Sequence, residues 1–149
     1  VFFLEKLKLK EGKKSVLEGV PRSLPAIVKS FRIQEKVRGI GFDWDNKHQV
    51  WEKVVEEIDE LKFEIERGNQ DKIESEFGDL LFALTNYSRF VNVNPEDALE
   101  RTNKRFIKRF QIMEKLIEEE KLNLDLMSLK EMDIYWEKAK KIYLSYIEQ

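Results

Sequence analysis

"VWEKVVEEIDELKFEIERGNQDKIESEFGDLLFALTNYSRF", residues 50–90, decides the fold. At 3.6 residues per turn it reads as two helices, about Asn46 to Arg67 and Gln70 to Val91. The first stops at Gly68-Asn69, a C-terminal signal. Val50, Val54, Ile58, Leu61 and Ile65 form an apolar stripe on the first helix. Ile73, Phe77, Leu80, Leu84 and Val91 form one on the second.

Acids sit beside both stripes. On the first helix Glu57 lies roughly 60° from the stripe's centre, Glu64 about 80° and Glu60 about 120°, with Lys53 between Glu57 and Glu60. On the second, Glu76 is about 70° off, and Lys72, Asp79 and Asn86 lie beyond it. The run "SEFGDLLFAL", residues 75–84, is nearly all apolar from Phe77 onward, so Asp79 is expected to be poorly solvated. Gly78 adds a cost of about 1 kcal/mol against alanine in a helix interior. Two helices joined by a tight turn can therefore aim four carboxylates at one another. Such a group repels itself in a low-dielectric site unless cations compensate it. All-oxygen ligation without histidine suits Mg²⁺, with Mn²⁺ as a substitute, whereas di-iron bundles use Glu-x-x-His. The bland alternative is an ordinary helix pair with solvated acids, since Glu-x-x-Glu is common in helices.

Composition narrows the class. The 149 residues are 42% hydrophobic and 38% charged, and 27 Lys and Arg nearly balance 29 Asp and Glu. No strong field recommends a nucleic acid or a membrane as partner. There is no cysteine and one histidine, His48, which removes thiol nucleophiles, zinc-thiolate sites and multi-histidine metal sites. No apolar run reaches membrane-span length, and cytoplasm is the expected compartment. The chain opens on Val1, as a piece of a longer protein would.

The rest of the chain also reads as helix. "GVPRSLP" is a turn leading into a first helix that runs to about Arg38, broken by "GIGFDW". Asn94 and Pro95 start a fourth helix that continues to about Lys121, and a fifth runs from about Ser128 to the end. The only period-2 stretch is the Lys/Leu alternation at residues 6–10. The expected architecture is all-α, a single domain over residues 1–149, with residues 1–23 as an extension and turn and residues 24–149 as a four- to five-helix bundle.

On the fourth helix Leu99, Phe106, Phe110, Met113 and Ile117 make the inner stripe, and Asn103 interrupts it. Arg105 and Arg109, one turn apart, border the stripe. They can grip neighbouring phosphates bidentately or pair with acids. Phe63 points away from its helix's stripe, as a partner surface would.

"VVEEIDEL" followed by "ESEFGDLLFALTNYSR" resembles the signature of the all-α nucleoside triphosphate pyrophosphohydrolases, in particular the C-terminal catalytic half of the MazG type. The likeness extends through "SVLEGVPRSLPAIVKSFRIQEK", "GFDW", "NPEDALERTNKRFIKRF" and "YWEKAK". It implies a helical dimer and Mg²⁺-dependent hydrolysis of (deoxy)nucleoside triphosphates to the monophosphate and pyrophosphate. Metal ligands would be Glu57, Glu60, Glu76 and Asp79, and either Glu57 or Glu60 would take a proton from water. Lys53, Lys72, Arg105, Arg109 and Trp136 would contact the nucleotide, although Trp136 also reads as core filling. Arg105 stands where the family usually has Lys. Asn86 and Asn103 are read as supporting the ligands from behind, with capping of a buried backbone group as the other reading of Asn86. The rivals are a dUTP- or dCTP-selective pyrophosphatase of the same superfamily and a non-catalytic helical module that senses nucleotides or binds a partner.

Overall fold

Short polar side chains cap three of the helices in the computed structural model, which describes Gly12 and residues 15–149. The helices are α1 Ala26–Arg38, α2 Lys47–Arg67, α3 Gln70–Phe90, α4 Pro95–Glu119 and α5 Leu129–Ile147, with a 3-10 turn at Leu124–Leu126. No strand occurs among the described residues, and the alternation at residues 6–10 lies outside them. Asn46, Asn69 and Ser128 cap α2, α3 and α5, each accepting from the backbone N–H three residues on. Each such cap is worth about 1 kcal/mol.

The helix ends are equally local. Gly68 ends α2 at φ 76°, a left-handed conformation that suits glycine, and its N–H reaches back to Glu64 and Ile65. Asn92 and Lys121, both at φ 58°, take the same conformation after α3 and α4. There Val93 N–H bonds to Ser88 O at 2.9 Å and Leu122 N–H to Ile117 O at 3.1 Å.

The chain groups into two compact units, the first ending at Glu96 and the second comprising Asp97–Gln149. In the first, α3 lies along α2 and also meets α1. Val50 and Val54 are buried as the α2 stripe requires, but Ile65, Phe77, Leu84 and Val91 are exposed. The buried face of α3 is instead Ala83, Thr85 and Ser88. Because α3 packs against two neighbours, its inward positions are small, and both hydroxyls bond to backbone carbonyls of the same helix, Leu81 O and Thr85 O.

In the second unit Met113, Ile117 and Ala139 form a small core, with Phe110, Tyr135 and Trp136 packed on it. The stripe of α4 holds only in its C-terminal half, since Leu99 and Phe106 are exposed. No helix among the described residues is long and apolar enough to cross a membrane.

Candidate metal and nucleotide site

The turn at Gly68 sends α3 back along α2, which brings the acids of both helices together. One carboxylate oxygen each from Glu57, Glu76 and Asp79 lie within 4.8 Å of one another. Glu60, one turn on from Glu57, interacts with both Glu57 and Glu76. All four acids singled out in the sequence thus belong to one cluster.

Their environments differ. Glu57 is 5% exposed. Its Oε1 lies 3.0 Å from Lys53 Nζ, which also sits 3.3 Å from Glu56 Oε2. These contacts, that with Glu57 first, hold the Lys53 ammonium above its ordinary pKa. Glu60 is pushed up to about 7, chiefly by the neighbouring charge of Glu57, then by lost hydration and by Glu76. Asp79, expected to be poorly solvated, is exposed. The apolar residues around it, Phe77, Leu81 and Phe82, are themselves about half exposed, so they do not enclose it.

Buried acceptors are left bare here. Glu57 Oε2, Glu64 Oε2 and Glu76 Oε2 are shut from water with no hydrogen-bond partner among the described residues. Buried polar atoms are nearly always satisfied, and an uncompensated carboxylate is costlier than most. The bare oxygens of Glu57 and Glu76, which belong to the cluster, match the ligand chemistry of a hard divalent cation.

A cavity of about 720 Å³ adjoins the cluster and shares Lys53, Glu57 and Asp79 with it. Its size falls in the ordinary range for small-molecule sites. Phe42, Trp44 and Phe82 contribute aromatic surface, and Gln34, Asp43, Asn86 and Arg89 contribute polar groups. Sequence reading gave no role to Gln34, Asp43 or, most centrally, Arg89. Its side chain is only 4% exposed and its Nη2 lies 3.0 Å from Asp43 Oδ1. Its Nε donates to Asn86 Oδ1 at 3.0 Å. A cation in the last turn of a helix ordinarily complements the helix dipole, which hides any other role. Its one legible signal was position: Asp79, Asn86 and Arg89 follow at spacings of seven and three, on one face.

The remaining candidates have surroundings of their own. Lys72 is exposed in the first turn of α3. In the second unit Asn103 and Arg105 are exposed, and Arg105 Nη2 is 3.4 Å from Thr102 Oγ1. The Arg109 guanidinium stands 5.1 Å from the centre of the Tyr143 ring, with its Nε buried and bare. Trp136 packs against Phe106, with ring centres 5.2 Å apart. Phe63 is exposed, as expected, under the guanidinium of Arg67. His48 pairs with Glu52 at 3.2 Å on the surface.

Residues 46–118, from the cap of α2 nearly to the end of α4, match the MazG nucleotide pyrophosphohydrolase domain. A Thermotoga maritima protein named nucleoside triphosphate pyrophosphohydrolase/pyrophosphatase MazG is 46% identical over 117 residues, 78% of this chain and 45% of that protein. An Escherichia coli K12 nucleoside triphosphate pyrophosphohydrolase is 36% identical over 136 residues, 90% of this chain and 52% of its own length. The chain thus spans about half the length of these curated relatives. With the acid pairs of α2 and α3 inside the matched region, the chain belongs to the MazG nucleotide pyrophosphohydrolase family.

Proposed function

We propose that this chain hydrolyses nucleoside triphosphates to the monophosphate and pyrophosphate, using Mg²⁺ held by Glu57, Glu60, Glu76 and Asp79. The observation that carries this reading is the carboxylate cluster, with buried oxygens of Glu57 and Glu76 left without a partner, beside a cavity of about 720 Å³ lined by Glu57 and Asp79. Mg²⁺ bound there would supply positive charge to the triphosphate and lower the pKa of a bound water, with Mn²⁺ as a substitute.

The chain's own groups divide the remaining work. A water oxygen bonds to the α-phosphorus, the bond from that phosphorus to the bridging oxygen breaks, and pyrophosphate leaves with the electron pair. Glu57 or Glu60 accepts the proton that the water gives up. Lys53, already beside Glu57, restrains that carboxylate and adds charge near the phosphates. Asn86, bonded to Arg89 and lining the cavity with Asp79, stiffens this part of α3.

Lys72, Arg105, Arg109 and Trp136 are assigned to the nucleotide, and Asn103 to a supporting role, through the family resemblance. The spacing of Arg105 and Arg109 by one turn suits two neighbouring phosphates. A homodimer is part of the same reading, since Phe77, Leu81, Phe82 and Leu84 leave α3 with exposed apolar surface.

Pyrophosphate release from eight NTPs and dNTPs, with Mg²⁺ and with chelator, tests the activity. Release that depends on the cation is expected. Activity unaffected by chelator would overturn the metal assignment, and absence of release from all eight would overturn the reaction.

A further inference from the structure

The cavity beside the acid cluster has a second chemistry that metal ligation does not use. Gln34 is 3% exposed, and its Nε2 donates to the backbone carbonyl of Phe82 at 2.8 Å. A carbonyl can only accept, so this bond fixes the amide's orientation and makes Oε1 the outstanding group, an acceptor. That oxygen has no partner among the described residues. Arg89 presents the opposite case. Its Nε and Nη2 are committed to Asn86 and Asp43, while Nη1 is buried and bare. One acceptor and one charged donor are thus left over on two side chains that line the same cavity. Aromatic surface from Phe42, Trp44 and Phe82 accompanies them.

Flat, hydrogen-bonding and aromatic is the description of a nucleobase. Bases stack on aromatic side chains whatever their identity, so hydrogen bonds must supply any discrimination. A guanidinium N–H is best met by a carbonyl oxygen, and an amide oxygen needs an N–H. Uracil, thymine and guanine carry a ring N–H directly beside a carbonyl. Adenine has no carbonyl, and the carbonyl of cytosine neighbours an unprotonated ring nitrogen.

We infer that this cavity receives the base of the substrate and that Gln34 and Arg89 together read a ring N–H next to a carbonyl, favouring keto bases. The inference rests on the triphosphate reading above and names the substrate class for that site. Both bare atoms are covered in the structure, so reading the base requires Gln34 and Arg89 to bring them to the cavity surface when it enters. Gln34 acts as a specificity residue, outside the reacting groups.

The test is Gln34→Met, which keeps the side chain's length but removes the amide. Kinetics of pyrophosphate release from UTP, dTTP, GTP, ATP and CTP are compared with wild type. Calorimetric binding of UMP and AMP is measured alongside. We expect kcat/KM for the three keto-base substrates to fall by about tenfold or more, mostly through KM, as loss of one hydrogen bond predicts. ATP and CTP should change by less than about threefold on the same basis. UMP affinity should fall while AMP affinity and Mn²⁺ binding hold. A uniform loss over all five substrates with intact Mn²⁺ binding, or no change in any, overturns the inference. If wild type releases pyrophosphate from none of the five, the hydrolase reading fails separately, because the UMP-to-AMP affinity ratio still decides the role of Gln34. Gln34→Ala serves as the second variant should the methionine pack badly, with the same outcomes.

Discussion

Arg89 Nη2 in the last turn of α3 lies 3.0 Å from Asp43 Oδ1 in the loop after α1. With its side chain 4% exposed, Arg89 carries a charge that has few other means of compensation. Asp43 also lies 3.6 Å from Arg38 through Oδ2, and its Oδ1 accepts from the backbone N–H of Trp44. The pair therefore holds the "GFDW" loop against the end of α3.

Removing one partner leaves the other buried and uncompensated, which typically costs 3–5 kcal/mol. Asp43 is less enclosed than Arg89, so Asp43→Ala should destabilise the protein by about 2–3 kcal/mol in urea denaturation. The double variant with Arg89→Met should lose less than the two single losses combined. Strict additivity in that cycle would show that the pair does not interact in solution.

The acid cluster predicts the response to loss of single carboxylates. Glu57→Gln and Asp79→Asn each delete one negative oxygen from a group spaced within 4.8 Å. Both should weaken Mn²⁺ binding and lower Mg²⁺-dependent pyrophosphate release by about 100-fold or more, in keeping with the upper end of losses at metal sites. Wild-type release from either variant would remove those residues from the site.

Glu60 predicts a pH dependence in the absence of divalent cations. Its pKa in the folded protein is pushed up from 4.5 to about 7, first by Glu57. The folded state then binds a proton more tightly than the unfolded chain does. Its stabilising contribution is complete below the unfolded pKa and is lost as pH rises through about 7. In chelator, Tm of wild type should therefore fall between pH 5 and 8 more than that of Glu60→Gln, which mimics the protonated acid. Divalent cation binding should strengthen over the same range, since it must displace the proton. Parallel Tm profiles for the two proteins would contradict the shared-charge account.

Gly78 gives a prediction of the opposite sign. It lies inside α3, and a Cβ built on it meets nothing within 4 Å. Gly78→Ala should stabilise the protein by about 0.5–1 kcal/mol through the helix alone. A rise in Tm checks this. A fall would mean that the open space is occupied in solution.

Much of this protein was legible in its sequence because the decisive signals are local. Asn46, Pro95 and Ser128 mark helix starts, Gly68-Asn69 marks an end, and periodicity placed Glu57, Glu60, Glu76 and Asp79 along two facing edges. Capping and turn geometry operate within a few residues, so no knowledge of the fold was needed. Only the tertiary structure decided the rest. Gln34 meets Phe82 across 48 positions and Asp43 meets Arg89 across 46, and no local rule pairs residues so far apart. The rotation of α3 towards Ala83, Thr85 and Ser88, and with it the exposure of Asp79, follows from packing against two helices at once. A helical wheel finds the apolar face of an isolated helix. Which sides of an almost wholly apolar run are covered depends on the neighbours that arrive.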